Sequence, residues 1–197
     1  MSGAVTVQPK NFEDIKPTVL SENFHILPGD IQLYRLEMAS GQGREHRLKN
    51  FLASVVENYD YVIIDTPPTP SVWMSTALIA SNYYVVPCKP EPLSSTGIDL
   101  LQMVVKNIKD NFGLNIQCAG VVLTMAETNT IVYREAIAFF NADHFWKGKR
   151  YEYELVKRTE VARQQGIQQM ILDSSDPGLK TSLVRITGEL IERVTNA

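Results

Sequence analysis

The sequence predicts an α/β fold, a mostly parallel sheet with helices on both faces. Three observations support this prediction. Strand-like and helix-like segments alternate along the chain, which is typical of strand–helix–strand units. The run Tyr61–Ile64 is continuously apolar and rich in β-branched residues, the pattern of a strand buried in a parallel sheet. Asp65 follows directly, at the strand end where open α/β sheets bind ligands.

Hydrophobic periodicity predicts the helices. Apolar residues at helical spacing indicate helices over 45–59, 72–81, 96–112, 131–140 and 159–165. A further strand is predicted over 151–156. The last helix begins at Asp176, a suitable N-cap, with Pro177 in its first turn. Its apolar face and mixed charge indicate a helix that packs on a core and not a membrane anchor. With no linker and no repeat, residues 1–197 are predicted to form a single domain.

Composition places the chain among ordinary soluble globular proteins, with 44% apolar and 21% charged residues. No apolar run approaches the ~20 residues that a transmembrane helix needs, and the N-terminus has no signal-peptide pattern. Cys88 and Cys118 are the two cysteines, and we expect both to be buried thiols near strands and not a disulfide. These features fit a reducing cytoplasm.

One segment is basic although the formal net charge is −3. Six basic residues fall between 147 and 163, interleaved with aromatic residues: Lys147, Lys149, Arg150, Lys157, Arg158 and Arg163. Such a patch could contact the phosphate backbone of DNA. A solvated face of the domain is the alternative, and the sequence leaves both open.

Several strings of this chain resemble the ParA/MinD/Soj partition ATPases. The stretch 59–68, YDYVIIDTPP, is similar to their Walker B and switch II segment. The strings YYVVP with K-P-E at 83–91 and AGVVLTM at 119–125 resemble two further strands of that family, and ILPGD at 26–30 resembles a segment before the motif. The resemblance extends from about Phe12 to Val194. It implies a P-loop NTPase-like fold and partition of plasmids or chromosomes.

The resemblance also implies site residues and cofactors. Asp65 would support Mg²⁺ beside the phosphates of ATP, and Thr66 and Pro67 would belong to the switch that senses the γ-phosphate. Thr124 and Arg158 would lie near the nucleotide base, although a lysine precedes Arg158 where the family has proline. An ion pair at the surface is the alternative for Arg158. Non-specific DNA contacts and a ParB-like partner are also implied, with DNA contacts at four residues: Lys147, Lys149, Arg150 and Lys157.

The 197 residues contain no K-G-G-x-G-K-T loop, with which the family binds phosphate. We therefore expect a fold without the first strand and P-loop, and a chain that does not hydrolyse ATP alone. Three explanations of the missing loop remain open: the chain is a fragment or has a misassigned start, it is a natural pseudo-ATPase, or a partner polypeptide supplies the loop. A truncated relative is favoured. The missing first strand would leave a gap in the sheet. Either segment 4–7 or a second copy of the chain could fill this gap, and we expect a homo-oligomer. A non-catalytic dimerising or DNA/protein interaction module is the alternative function.

Overall fold

The computed structural model describes residues 15–29, 43–67, 69–92, 94–166 and 170–196. They belong to two compact units, which divide between Ala80 and Ser81. Each unit has its own helices and strands. The single domain over residues 1–197 stays a prediction, and segment 4–7 lies outside the described residues.

The first unit contains a hairpin and two helices. Strands β1 (Thr18–Ser21) and β2 (Phe24–Ile26) pair antiparallel. Helix α1 (Arg47–Ala53) is flanked by short 3₁₀ turns, and helix α2 spans Val72–Ala80. Helix α2 is apolar around most of its surface, which explains why four of its hydrophobic residues are buried: Met74, Ala77, Leu78 and Ile79.

Two sequence predictions in this unit are wrong. Residues 61–67 form no strand, and Ile63 is 86% exposed. An apolar run becomes a buried strand only when neighbouring strands and helices cover it, and no described strand pairs with this segment. The helix predicted over 45–59 ends at Ala53. Beyond it, the Ser54 hydroxyl donates to the Phe51 carbonyl at 2.6 Å, and such local bonds compete with a regular helix.

The second unit is a parallel α/β arrangement. Strand β3 (Tyr83–Cys88) and helix α3 (Ser94–Phe112) precede strand β4 (Gln117–Leu123). Helices α4 (Ile131–Ala142), α5 (Thr159–Gly166) and α6 (Pro177–Thr195) follow. β3 and β4 pair in parallel from Tyr83↔Gln117 to Cys88↔Leu123. These bounds confirm the predicted elements within a few residues.

β4 is hydrogen-bonded along both of its edges. On the edge of β4 that faces away from β3, the Val121 N–H donates to the Lys149 carbonyl and the Val121 carbonyl accepts from the Tyr151 N–H. Further along the same edge, the Leu155 N–H donates to the Leu123 carbonyl at 3.0 Å. The strand predicted over 151–156 is present only as isolated parallel bridges at Arg150 and Val156. We call residues 150–157 the third segment of the sheet. β4 is therefore central in this unit.

Helices cover both faces of β4. Val121 and Leu123 point to one face, where they pack with Phe140 of α4, Ile98 of α3 and the fully buried Trp146. Val122 points to the other face, in a cluster with Tyr151 and Ile186 of α6. This alternation follows from the two-residue period of a strand and confirms the predicted helices on both faces. Cys88 is buried in the first of these clusters, as predicted, and Cys118 is half-buried.

Side chains cap two of the helices at their N-termini. The Thr130 hydroxyl accepts a bond from the Tyr133 N–H at the start of α4. Asp176 Oδ1 accepts from the Leu179 N–H at 3.1 Å at the start of α6, and Pro177 occupies the first turn. The N-cap predicted from the sequence at Asp176 is confirmed.

Candidate functional site

The carboxyl ends of the parallel strands form one edge of the second unit. The Thr124 N–H donates to the Cys88 carbonyl at 2.9 Å, which joins the ends of β3 and β4. Ala126 joins β4 to the third segment, since its N–H donates to Leu155 and its carbonyl accepts from Lys157, both at 3.0 Å. Thr124 and Arg158 therefore lie on adjacent chain segments at the same edge. Ligands of open α/β sheets bind at such edges.

Charged side chains at this edge are paired. Lys157 Nζ lies 2.6 Å from Glu127 Oε1, and Arg158 Nε lies 2.9 Å from Asp176 Oδ2. Lys89 bonds to Glu91. Hydrogen bonding to Lys157 lowers the pKa of the Glu127 carboxyl, and hydrogen bonding to Arg158 lowers that of Asp176. The charged side chains at this edge therefore hold each other in place as ion pairs.

Met125 is the backbone outlier of this edge. It has φ +49°, in the left-handed region, and its side chain is 59% exposed directly after β4. A non-glycine residue in this region costs on the order of 1–3 kcal/mol, and such residues cluster at ligand sites. In the sequence, Met125 stands out only as part of the AGVVLTM string at 119–125, and no pattern marks its conformation.

The predicted metal-side residues belong to the first unit. Asp65 and Pro67 are exposed and Thr66 is half-buried, on the segment 61–67 that forms no regular structure. An exposed carboxylate is an oxygen ligand of the kind that Mg²⁺ prefers, and Mg²⁺ is usually held by one or two carboxylates together with substrate phosphates. Asp65 thus fits a Mg²⁺ that arrives with a nucleotide.

Most of the predicted DNA-contacting residues are engaged within the second unit. Lys149 Nζ donates to the Phe145 carbonyl at 2.6 Å and lies 4.1 Å from the centre of the Phe145 ring. Arg150 donates to the Tyr151 carbonyl at 2.8 Å, and Lys157 is the partner of Glu127. Among the four, only Lys147 has no side-chain hydrogen bond or ion pair to the described residues, and it is exposed.

The chain is similar in sequence to known proteins. A family model described as an AAA domain matches residues 4–118, more than half of the chain. The sporulation initiation inhibitor protein Soj of Bacillus subtilis is 33% identical over 128 residues, 64% of this chain and 51% of its own length. The chain belongs to the ParA/Soj-type partition ATPase family. It spans about half the length of the curated relatives that it matches.

Several solved structures share the P-loop NTPase fold of this chain. Apo McdA of Cyanthece aligns over 91% of this chain and 73% of its own, with a TM-score of 0.76 and 16% identity. A putative plasmid partition protein from Borrelia burgdorferi bound to AMPPNP aligns over 91% and 67%, with a TM-score of 0.72 and 16% identity. The pNOB8 ParA bound to nonspecific DNA aligns over 87% and 67%, with a TM-score of 0.52 and 18% identity. At these identities the likeness shows the fold alone.

The ParA-type resemblance predicts Thr124 and Arg158 near a nucleotide base, and the structure places both at one sheet edge. The resemblance missed the side chain that holds Arg158. Asp176 was predicted only as a helix cap, since the sequence separates it from Arg158 by 18 positions. In the part of the chain that the structure describes, no helix is long and apolar enough to span a membrane.

Proposed function

We propose that this chain is a partition-type protein that binds an adenine nucleotide with Mg²⁺ and does not hydrolyse ATP by itself. The observation that carries the proposal is the shared edge of β4 and the third segment, where Thr124 and Arg158 lie on adjacent segments. Membership of the ParA/Soj-type family supports it, as does the AMPPNP bound to a Borrelia relative of the same fold.

Each site residue has a distinct proposed role. Asp65 would orient the Mg²⁺ and its waters, and this ion would neutralise the phosphates when bound. Thr66 and Pro67 would form the switch beside the γ-phosphate. Thr124 and Arg158 would contact the base from the sheet edge. No residue is assigned as a nucleophile or a general base.

The proposal of no hydrolysis rests on the chemistry of phosphoryl transfer. Catalysis of this reaction is mostly positioning and electrostatic stabilisation by a phosphate loop, its lysine and a metal ion. The 197 residues contain no K-G-G-x-G-K-T string, so Asp65 would act without that partner. A separate polypeptide that supplies the loop would restore turnover.

Calorimetry with ATP and with ADP, in the presence and absence of Mg²⁺, tests the proposal. We expect the chain to bind both nucleotides and to release no phosphate above background. Asp65→Ala should remove the part of the affinity that depends on Mg²⁺ and leave the rest, because it removes only the metal-side carboxylate. Asp99→Ala, on the exposed part of α3, is the control. Absence of binding by the unmodified chain would contradict the proposal.

Non-specific DNA contact is a second candidate function, favoured by the basic residues between 147 and 163 and by the DNA-bound ParA of similar fold. The pairing of Lys149, Arg150 and Lys157 predicts a weak contact. The logarithm of the affinity falls with the logarithm of salt concentration by about 0.9 for each phosphate contacted. Fluorescence anisotropy with a random duplex should therefore give a slope of about −1 to −2, whereas about −3.6 would mean that all four residues contact phosphates.

Family membership also supports three proposals, about oligomeric state, partner protein and location. We infer a homo-oligomer, a ParB-like protein partner and a cytoplasmic location. If the nucleotide experiment fails, a non-catalytic dimerising module becomes the leading function.

A further inference from the structure

Asp176 uses its two carboxylate oxygens for two different contacts. Oδ1 accepts the Leu179 N–H at 3.1 Å and so caps α6. Oδ2 accepts the Arg158 Nε–H at 2.9 Å. One side chain therefore connects the last helix to the residue that follows the third segment at the sheet edge.

The loop that precedes α6 is fixed independently of Arg158. The Asp176 N–H donates to Ser174 Oγ at 3.0 Å, and Ser174 is 1% exposed. The Ser175 hydroxyl donates to Glu160 Oε1 at 3.0 Å, and the Ser174 hydroxyl lies 3.4 Å from the same oxygen. These bonds tie the loop to the start of α5, and they hold the Asp176 carboxylate in place before any ligand binds.

Arg158 keeps most of its donors available at the edge. A guanidinium has five N–H donors in a planar fork, and the bond to Asp176 uses the one on Nε. Among the described residues, Nη1 and Nη2 have no hydrogen-bond partner, and the side chain is 46% exposed. The backbone of the preceding residue, Lys157, is bonded to the Ala126 carbonyl at 3.0 Å, so the chain is anchored next to Arg158.

We propose that Asp176 is a positioning residue for nucleotide binding: it holds the Arg158 guanidinium through Nε so that the free edge of Arg158 faces a ligand at the carboxyl ends of the strands. This inference rests on the proposed nucleotide binding. A guanidinium that is held in advance loses less side-chain entropy when it binds, which raises affinity without a new contact. The hydrogen bond to Arg158 also lowers the pKa of the Asp176 carboxyl, which favours its ionised form.

Asp176→Asn separates this role from helix capping. Asparagine caps a helix as well as aspartate does, so the thermal midpoint should stay close to that of the unmodified chain. Its amide cannot replace the charged acceptor, and we expect the affinity for ADP with Mg²⁺ to fall about two- to fivefold, the range of exposed ion pairs. The matched control is Asp110→Asn, which breaks the exposed Lys106–Asp110 pair of 2.6 Å on α3 and should leave affinity unchanged.

A double-mutant cycle with Arg158→Gln completes the test. If Asp176 acts through Arg158, Asp176→Asn should cause no further loss of affinity in the Arg158→Gln background. Additive losses, or normal ADP binding by Asp176→Asn alone, would overturn the positioning role and leave the proposed function intact. An unmodified chain that binds no ADP would overturn both.

Discussion

Gly120 is the position where one added carbon would disturb the centre of the second unit. Its φ of +122° lies in a region that side-chain-bearing residues rarely adopt. A Cβ built there would contact the Lys149 carbonyl oxygen, and would lie 2.6 Å from Arg193 Nη1 and 2.9 Å from the Tyr151 ring. The glycine therefore allows the third segment and α6 to approach β4 closely.

Gly120→Ala should destabilise the protein by about 2–4 kcal/mol, the sum of backbone strain and overpacking. Urea unfolding measures this change. The matched control is Gly188→Ala within α6, where the added carbon would meet no atom of the described residues within 4 Å apart from its chain neighbours and the backbone of its own helix. That substitution should raise stability by about 0.5–1 kcal/mol, because alanine favours helices. Equal effects at the two positions would contradict the close packing at Gly120.

Tyr151 gives the protein a pH dependence above neutrality. Burial raises the pKa of its hydroxyl to about 12. Below its unfolded pKa of about 10 the hydroxyl is neutral in both the folded and the unfolded protein, so the stability does not depend on its titration there. As pH rises from about 10 towards 12, the hydroxyl ionises first in the unfolded protein, which lowers the stability of the fold. Among the described residues, its Oη has no hydrogen-bond partner.

Tyr151→Phe should therefore be neutral or stabilising at pH 7, because it removes a buried hydroxyl that makes no bond. Between pH 10 and 12 the variant should lose less stability than the unmodified chain, as measured by urea unfolding at each pH. Tyr84, whose pKa is also raised by burial and by Cys118, stays present in both proteins, so the difference isolates Tyr151. Parallel stability curves would contradict the assignment.

At the element scale, Arg193 attaches α6 both to β4 and to the chain at Lys149 and Arg150, where the third segment begins. Its guanidinium donates to the carbonyls of Ala119, Lys149 and Arg150, each at 3.1 Å, and lies 4.3 Å from the centre of the Tyr151 ring. Glu189, one turn earlier, accepts from it at 2.7 Å. The helix is therefore held by directional bonds as well as by its apolar face.

Arg193→Lys should cost about 2 kcal/mol, because an ammonium group cannot reach three carbonyls in the planar arrangement of a guanidinium. Guanidinium chloride unfolding measures the change. Arg185→Lys, at an exposed position of the same helix where the guanidinium contacts Tyr153, is the control and should stay within about 0.5 kcal/mol. A similar loss at both positions would refute the attachment role.

For the whole molecule, exposed apolar residues in the first unit favour self-association. Tyr61 and Ile63 are 55% and 86% exposed on the segment before Asp65, and Val19 and Leu20 of β1 are 63% and 53% exposed. Unpaired apolar segments of strand-like sequence tend to associate with other chains.

We therefore expect an oligomer at micromolar concentration in light scattering, and a shift towards monomer in Ile63→Lys. Ile131→Lys is the control, because Ile131 is also exposed, at 65%, but lies at the start of α4. A monomeric unmodified chain would contradict the homo-oligomer. A shift towards monomer in both variants would mean that association depends on exposed apolar surface in general and not on Ile63.

The sequence alone predicted the helices of the second unit closely, because their apolar stripes and the Asp176 cap are local patterns. Resemblance to the ParA-type family predicted Thr124 and Arg158 near a nucleotide base, and the structure places both at one sheet edge. The sequence failed for segment 61–64, since the burial of a strand depends on chain that lies elsewhere in the fold. For the basic residues the sequence could not show that Glu127 and backbone carbonyls engage them, and their DNA contact stays a prediction.

What the sequence determined by itself was the family, the α/β class and the ends of most elements in the second unit. Only the tertiary structure decided that β4 is central, that Gly120 admits Arg193, and that Asp176 holds Arg158. The physical reason is distance along the chain. Periodicity and capping act within a few residues, whereas these contacts join residues 18 to 74 positions apart, and only folding brings them together.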